Sequence, residues 1–275
     1  PAYEDRSQRS GIRCADLLAP EMMKERVRAH VEEKNKLLRH VLGSDVQVDF
    51  EDVWSKLESE AGILAPYVAN GSKLIFEASK RGERIVFEGA QGVLLDQMHG
   101  TYPFVTSSST IAGAALIGAG VGPKLIDSVL GVAKAYTTRV GEGPFPTEME
   151  ESVGEEIRAR GHEFGTVTGR ARRCGWFDAV AMRRAVRISG IDNLVLTKLD
   201  VLTGLRSIKV CTGYISNGEL LDDLPALVHE YQQLQPVYQE FKWWDEDISG
   251  IRSWEALPTA VKDYVQAISG LPKDA

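Results

Sequence analysis

Apolar residues first recur at helical spacing from Pro20 to about Gly43, where Met23, Val27, Val31, Leu37, Leu38 and Val41 form an uneven stripe among charges. This pattern predicts a partly exposed helix. Asp49 can cap a second helix in which Phe50, Val53, Trp54 and Leu57 recur, until Pro66 breaks or kinks the pattern. A third helix is expected from Gly71 to Lys80. These stripes read as core packing rather than as a cofactor groove. The character changes at Arg84: Arg84 to Glu88 reads as a short buried strand, followed by a Gly-rich turn and a loop through Thr110. Ile111 to Gly120 predicts a small-residue helix, Val129 to Tyr136 a strand, and Trp176 to Ser189 an amphipathic helix. Leu194 to Leu199 predicts another buried strand, Ser207 to Ile215 one that opens a smaller subregion, and Pro258 starts a last helix ending near Gly270. Strands alternating with helices imply an α/β fold with a mainly parallel central sheet flanked by helices. No repeat, low-complexity tract or linker interrupts the 275 residues, so one domain over 1–275 is expected.

Composition narrows the class. Hydrophobic residues make up 43% and charged residues 26%, with no apolar run of membrane-spanning length, which disfavours disorder and a membrane span. Lys and Arg total 32 against 39 Asp and Glu, and the net charge of −7 disfavours broad binding to nucleic acid or anionic lipid. Cys14, Cys174 and Cys211 are few and widely spaced, so neither a disulfide framework nor a zinc site is expected, and a reducing cytosol fits. The five histidines, His30, His40, His99, His162 and His229, include no H-E-x-x-H, so no metal held by this chain alone is expected. Pro1 opens a polar segment without a signal-peptide core, and the chain is expected to begin within a longer protein.

Gly118 to Lys124 is glycine-rich, but it matches neither phosphate-loop nor dinucleotide fingerprints and reads as a helix-ending turn. No G-x-S-x-G elbow is present. Three other segments can carry chemistry. In Thr166-Val167-Thr168-Gly169-Arg170-Ala171-Arg172-Arg173, two arginines two apart would lie on one side if the loop is extended. Guanidinium groups bind carboxylates and phosphates bidentately, so the fork suits a dicarboxylate or phosphate; a solvated basic loop explains it equally well. Lys198-Leu199-Asp200 ends a predicted strand, where α/β proteins place ligands. An aspartate there can accept from guanine N1–H and the exocyclic amine, although an ordinary strand-end ion pair is the simpler explanation. Glu88-Gly89-Ala90-Gln91-Gly92 and His99 to Thr110 are rich in hydroxyls and amides suited to a phosphate and a purine carbonyl, or to turns and caps.

In their order and wording these segments resemble the adenylosuccinate synthetase family, over nearly the whole chain. The resemblance is carried by P-A-Y-E-D from Pro1, F-E-G-A-Q-G from Phe87, H-G-T-Y-P-F-V-T-S-S from His99 and A-Y-T-T-R-V-G-E-G-P-F-P-T-E from Ala135. T-G-R-A-R-R-C-G-W from Thr168 and L-T-K-L-D from Leu196 complete it. The resemblance implies a P-loop-NTPase-like fold and a cytoplasmic, homodimeric ligase of AMP synthesis. Such an enzyme condenses IMP with L-aspartate, using GTP and Mg2+, to adenylosuccinate, GDP and phosphate by way of 6-phosphoryl-IMP. By motif match it places Gln91 on the hypoxanthine, Thr106 on the IMP phosphate, Val140 at the ribose and Arg9 on the IMP phosphate of the partner subunit. Thr166, Val167, Thr168, Gly169, Arg170, Ala171 and Arg172 would hold aspartate, with Arg170 also near IMP and Arg172 near GTP. Lys198, Leu199 and Asp200 would read guanine, which now outweighs the ion-pair explanation.

Departures from the family pattern matter as well. Arg6 stands where the P-x-Y-x-x-K-x-x-R motif carries lysine, which keeps the charge but changes the donor geometry. Ala171 falls at a place where relatives vary. The family's G-D-E-G-K-G-K phosphate loop with its catalytic aspartate, its catalytic histidine and a later S-T-G-P-x-R-like guanine segment do not occur in these 275 residues. A fragment lacking the N-terminal region and the extreme C-terminus is therefore expected, with no catalytic or magnesium-holding residue on this chain. The alternatives are a non-catalytic nucleotide-binding or dimerisation module and a regulatory protein descended from the enzyme.

Overall fold

The computed structural model describes residues 1–165 and 169–270. Their Cα positions group into two compact units, one of residues 1–85 with 119–121 and one of residues 86–118 with 122–165 and 169–270.

The first unit is helical: α1 (Ala2–Gln8), α2 (Pro20–His40), α3 (Phe50–Leu64) and α4 (Gly71–Lys80). Local chemistry sets the ends. Pro20 occupies the first turn of α2, where its missing N–H costs nothing, and the side chains of Asp49 and Asn70 cap α3 and α4 through Asp52 N–H (3.1 Å) and Lys73 N–H (3.0 Å). Beyond Leu64, Pro66 sits in a short 3-10 turn, Ala65–Tyr67, rather than in continued helix. Met23, Val27, Trp54 and Ala61 form a small core between α2 and α3, so the predicted stripes do bury their apolar side.

The second unit contains all but the last residue of α5 (Ala114–Ala119), and β1 (Leu130–Lys134), β2 (Thr137–Arg139), α6 (Glu151–Gly161), β3 (Arg173–Gly175) and β4 (Phe177–Asp178). It continues through α7 (Ala179–Ser189), β5 (Asn193–Thr197), β6 (Ile208–Ser216), β7 (Glu219–Leu221), α8 (Val228–Gln232), β8 (Gln235–Phe241) and α9 (Thr259–Gly270). The α/β class holds. The strands that are joined through helices pair in parallel, β1 with β5 and β4 with β6, whereas β2–β3, β6–β7 and β6–β8 are antiparallel. The parallel part of the expectation is thus confined to two short pairs. Beneath them, Ile157, Phe177, Leu202, Ile208, Val210, Trp244, Val261 and Tyr264 form the main core. Tyr264 is placed there because its hydroxyl finds the Ala135 carbonyl at 2.6 Å, which removes the cost of burying it.

Residues 84–88 do not form the expected strand: no described strand pairs with them, and Val86 is 88% exposed. An apolar run becomes a strand only when a neighbour takes its backbone N–H and C=O groups. The helix expected over 111–120 is shorter, Ala114–Ala119, and Gly120 turns away with φ +66°, as a helix-ending glycine does. The helix expected from Trp176 begins at Ala179, because Phe177 and Asp178 pair with β6 first and the Asp178 side chain then caps α7 through Ala181 N–H (2.9 Å).

Partner residues in β1 and β5 share a face, and one face carries Leu130, Val132 and Val195, exposed at 61, 72 and 41%. Such a face on a short parallel pair drives association in water. The 275-residue chain is expected to self-associate in size-exclusion chromatography with light scattering. The Val132→Lys variant is expected to shift that equilibrium toward monomer without loss of cooperative unfolding.

Candidate functional site

Three loops of the second unit carry the motif residues, and buried or half-buried charged groups fix their shapes. The first runs from Gln91 to Ile111 around Asp96, whose side chain is fully buried. Asp96 accepts backbone N–H bonds from Met98 (2.9 Å), His99 (3.0 Å), Thr110 (2.6 Å) and Ile111 (3.4 Å). Burial alone would raise its pKa, but these four donors outweigh it and hold the carboxyl below its ordinary 3.8. Gly100 is required inside this wrap, since a Cβ would stand 2.5 Å from the Asp96 carbonyl oxygen and closer still to that of Leu94. On the rim of the loop, Gln91 Nε2 donates to Thr106 Oγ1 (3.1 Å), and Ser108 Oγ donates to Gln91 Oε1 (3.4 Å). Gln91 adopts φ +69°, a left-handed conformation that a non-glycine residue takes up only where its surroundings compensate.

The second loop follows β2. Arg139 Nη2 donates to Thr101 Oγ1 (3.1 Å) and to the Phe104 carbonyl (3.2 Å), and Arg139 Nε donates to the Glu142 carbonyl (3.0 Å). One guanidinium therefore ties the turn that bears Val140, itself 47% exposed, to the loop that bears Thr106. Arg173, paired with Arg139 across β2–β3, reaches the Gly143 carbonyl (3.0 Å) and is held by Glu148, which raises its pKa.

The third loop leaves the end of α6, where His162 turns left-handed with φ 52° and Glu163 follows, 1% exposed. Phe164 bridges Ala171, Gly165 N–H donates to the Arg170 carbonyl (2.8 Å), and Gly169 turns with φ +64°. Arg170 is exposed at the tip, while Arg172 is drawn inward onto Glu163. The same end of α6 receives Lys198, whose Nζ donates to the Gly161 carbonyl (2.9 Å); Lys198 takes φ 64° and thereby ends β5 and leads into the 3-10 turn Leu199–Leu202. Leu199 packs on the main core, and Asp200 is exposed.

Of the residues singled out in the sequence, Gln91 and Thr106 are in contact, Val140 is tied to their loop through Arg139, and Arg172 and Lys198 meet the same end of α6. Thr166, Val167 and Thr168 lie outside the described residues. Arg9 belongs to the first unit, where it ends α1 with φ 63° and is exposed, and Arg6 is exposed one turn earlier. Sequence reasoning gave no role to Asp96, Lys134, Arg139, Glu163 or Arg173. Lys134 lies just before a quoted motif and Arg139 inside one, but the burial of Asp96 and Glu163 depends on partners far along the chain. A cavity of about 450 Å3 on α3, lined by Asp49, Asp52, Lys56 and Glu60 among others, contains none of the motif residues. Among the described residues no group of three or more His, Cys, Asp or Glu side chains could hold a metal ion, and no helix is long and apolar enough to cross a membrane.

Comparison with known proteins agrees with the motif order. A family model described as adenylosuccinate synthetase matches residues 1–273. The chain is 49% identical over 271 residues to the adenylosuccinate synthetase of Caldanaerobacter subterraneus, covering 98% of this chain and 63% of the relative. It is 51% identical over 271 residues to that of Desulfitobacterium hafniense, again with 98% and 63% covered. The structure of fully ligated adenylosuccinate synthetase from Plasmodium falciparum superposes with a TM-score of 0.94 at 35% identity, covering 99% of this chain and 64% of that one. The chain thus spans less than two thirds of the length of these relatives. It belongs to the adenylosuccinate synthetase family.

Proposed function

We propose that the protein containing these residues condenses IMP with L-aspartate at the expense of GTP, giving adenylosuccinate, GDP and phosphate. The observation that supports this reading is the Gln91–Thr106 contact, in which an amide suited to a purine and a hydroxyl suited to a phosphate meet on one rim. In the first step IMP O6 attacks the γ-phosphorus of GTP. The O6–P bond forms, the bond to the β-phosphate oxygen breaks, GDP leaves, and the N1 proton passes to a base. In the second step the aspartate amine attacks C6, the C6–N bond forms, the C6–O bond breaks, phosphate departs with O6, and the amine gives up one proton to the departing phosphate or to water.

Gln91 orients the hypoxanthine, Thr106 takes the IMP phosphate and Val140 packs against the ribose. Arg170 takes a carboxylate of aspartate in a bidentate bond, with Thr166 to Gly169, Ala171 and Arg172 completing that side. The Asp200 carboxylate accepts from guanine N1–H and N2–H, and the Lys198 stem lies along the base. In a homodimer, Arg9 reaches the IMP phosphate of the partner subunit. Magnesium would neutralise charge on the transferring phosphoryl group. Among the described residues no group of three or more His, Cys, Asp or Glu side chains gathers to hold it.

Phosphate release by the natural polypeptide containing these 275 residues is the test. It is expected to require IMP, aspartate, GTP and magnesium together and to match adenylosuccinate formed; GTP hydrolysis that ignores IMP or aspartate would contradict the reading. The 275-residue chain alone contains no G-D-E-G-K-G-K loop and is expected to bind IMP without turnover.

A further inference from the structure

Glu163 is a carboxylate that the proposed chemistry does not use, yet it is 1% exposed and fully engaged. Its Oε1 accepts from Lys134 Nζ (2.8 Å) and from the Tyr136 hydroxyl (2.6 Å), and its Oε2 accepts from Lys134 Nζ (2.7 Å) and Arg172 Nη1 (2.7 Å). Lys134 is steadied in turn by Thr138 Oγ1 (2.9 Å). Space for the tyrosine exists only because residue 161 is glycine: a Cβ there would collide with the Tyr136 hydroxyl oxygen. Desolvation works against the Glu163 charge, but the Lys134, Tyr136 and Arg172 donors overcome it and keep the pKa below the ordinary value.

The chain around Glu163 is what separates this network from ordinary core stabilisation. Arg172 is gripped at three points. Its N–H donates to the Glu163 carbonyl (3.0 Å), its carbonyl accepts from Arg158 Nε (2.9 Å), and its guanidinium meets the Glu163 carboxylate. Two residues before it, Arg170 is exposed, with its carbonyl fixed by Gly165 N–H. The Glu163 charge thus offsets that of Arg172 and draws it inward; strand alternation alone would put Arg170 on the same side, but Arg170 follows the Gly169 turn at the loop tip and is exposed.

We propose that Glu163 is a positioning residue for the aspartate substrate: by anchoring Arg172 it sets where Arg170 presents its guanidinium, without touching the substrate itself. This rests on the proposed ligase activity. Lys134 and Tyr136 hold the anchor in turn, and the Lys198 bond to Gly161 makes the same end of α6 a support for the guanine-reading turn.

The test uses the natural polypeptide containing these residues and steady-state kinetics in each substrate. Glu163→Gln keeps the shape but removes the charge that orients Arg172, and is expected to raise the KM for aspartate about tenfold or more. The KM for IMP, which Arg170 also neighbours on this reading, is expected to rise by a much smaller factor, and kcat to fall by less than the KM for aspartate rises. Glu163→Asp should recover part of the loss, because it restores the charge. If Glu163→Gln does not unfold cooperatively, Tyr136→Phe, which removes one donor to Glu163 and alters no residue given a substrate role, should raise the KM for aspartate in the same direction by a smaller factor. Wild-type protein without turnover would sink the ligase reading itself. Wild-type turnover with an unchanged KM for aspartate in both variants, or with all KM values rising together, would overturn the role of Glu163.

Discussion

Replacing Asp96 with alanine is expected to destabilise the protein by about 3 kcal/mol and to lower the affinity for IMP by about tenfold or more. The Asp96 carboxylate is the shared acceptor for four backbone N–H groups drawn from both arms of the Gln91–Ile111 loop. Removing it leaves several of those donors buried and unpaired, and each such donor costs about 1–3 kcal/mol. No neighbouring side chain can take over, because the loop is wound so closely that even a methyl group at Gly100 meets carbonyl oxygens. The effect reaches the site through geometry. Thr106 N–H donates to the Leu95 carbonyl (2.9 Å), next to Asp96, so a slackened loop separates Thr106 from Gln91. Denaturant unfolding and calorimetric IMP titration measure the two effects. The sign of the pH dependence follows from the depressed pKa: the carboxylate stabilises the fold above its ordinary 3.8, and this stabilisation is lost as pH falls through the lower folded value. The alanine variant is therefore expected to lose less stability on acidification than the parent.

The second large effect concerns the choice of nucleotide. Asp200→Asn is expected to lower kcat/KM for GTP by about 100-fold. It is also expected to erase most of the preference for GTP over ITP, which lacks the exocyclic amine. A carboxylate accepts from both donors of guanine, whereas an amide replaces one acceptor with an N–H that opposes the base. Asp200 is well placed for this role, since it is exposed in a turn whose entry is fixed by Lys198 at φ 64° and whose neighbour Leu199 is packed on the core. Parallel kinetics with the two nucleotides separate this effect from general damage, which would lower both values alike.

The parts of the fold that were legible in the sequence carry their instructions locally. The α3 and α4 helices start at Asp49 and Asn70 because those side chains supply the missing acceptors, and β5 and β6 declare themselves as apolar runs. What was not legible depends on partners. Residues 84–88 have the composition of a strand but no described neighbour to bond with. The α6 helix escaped notice because charges and two glycines dilute its apolar pattern, with Ile157 its fully buried apolar residue. The short β3 and β4 are strands only by pairing with β2 and β6.

The site divides in the same way. Gln91, Thr106, Arg170, Lys198 and Asp200 stand in motifs that can be read along the chain. The groups that shape their loops do not. Glu163 meets Lys134 across 29 positions, and Arg139 meets Thr101 across 38. A single carboxylate or arginine in a sequence gives no sign that such distant partners will bury it.

The most direct measurement of the central claim follows the oxygen at C6. With IMP labelled by 18O at that position, aspartate, GTP and magnesium, the natural polypeptide containing these residues is expected to yield one labelled phosphate for each adenylosuccinate formed. Unlabelled phosphate, or label released to water without adenylosuccinate, would contradict the account.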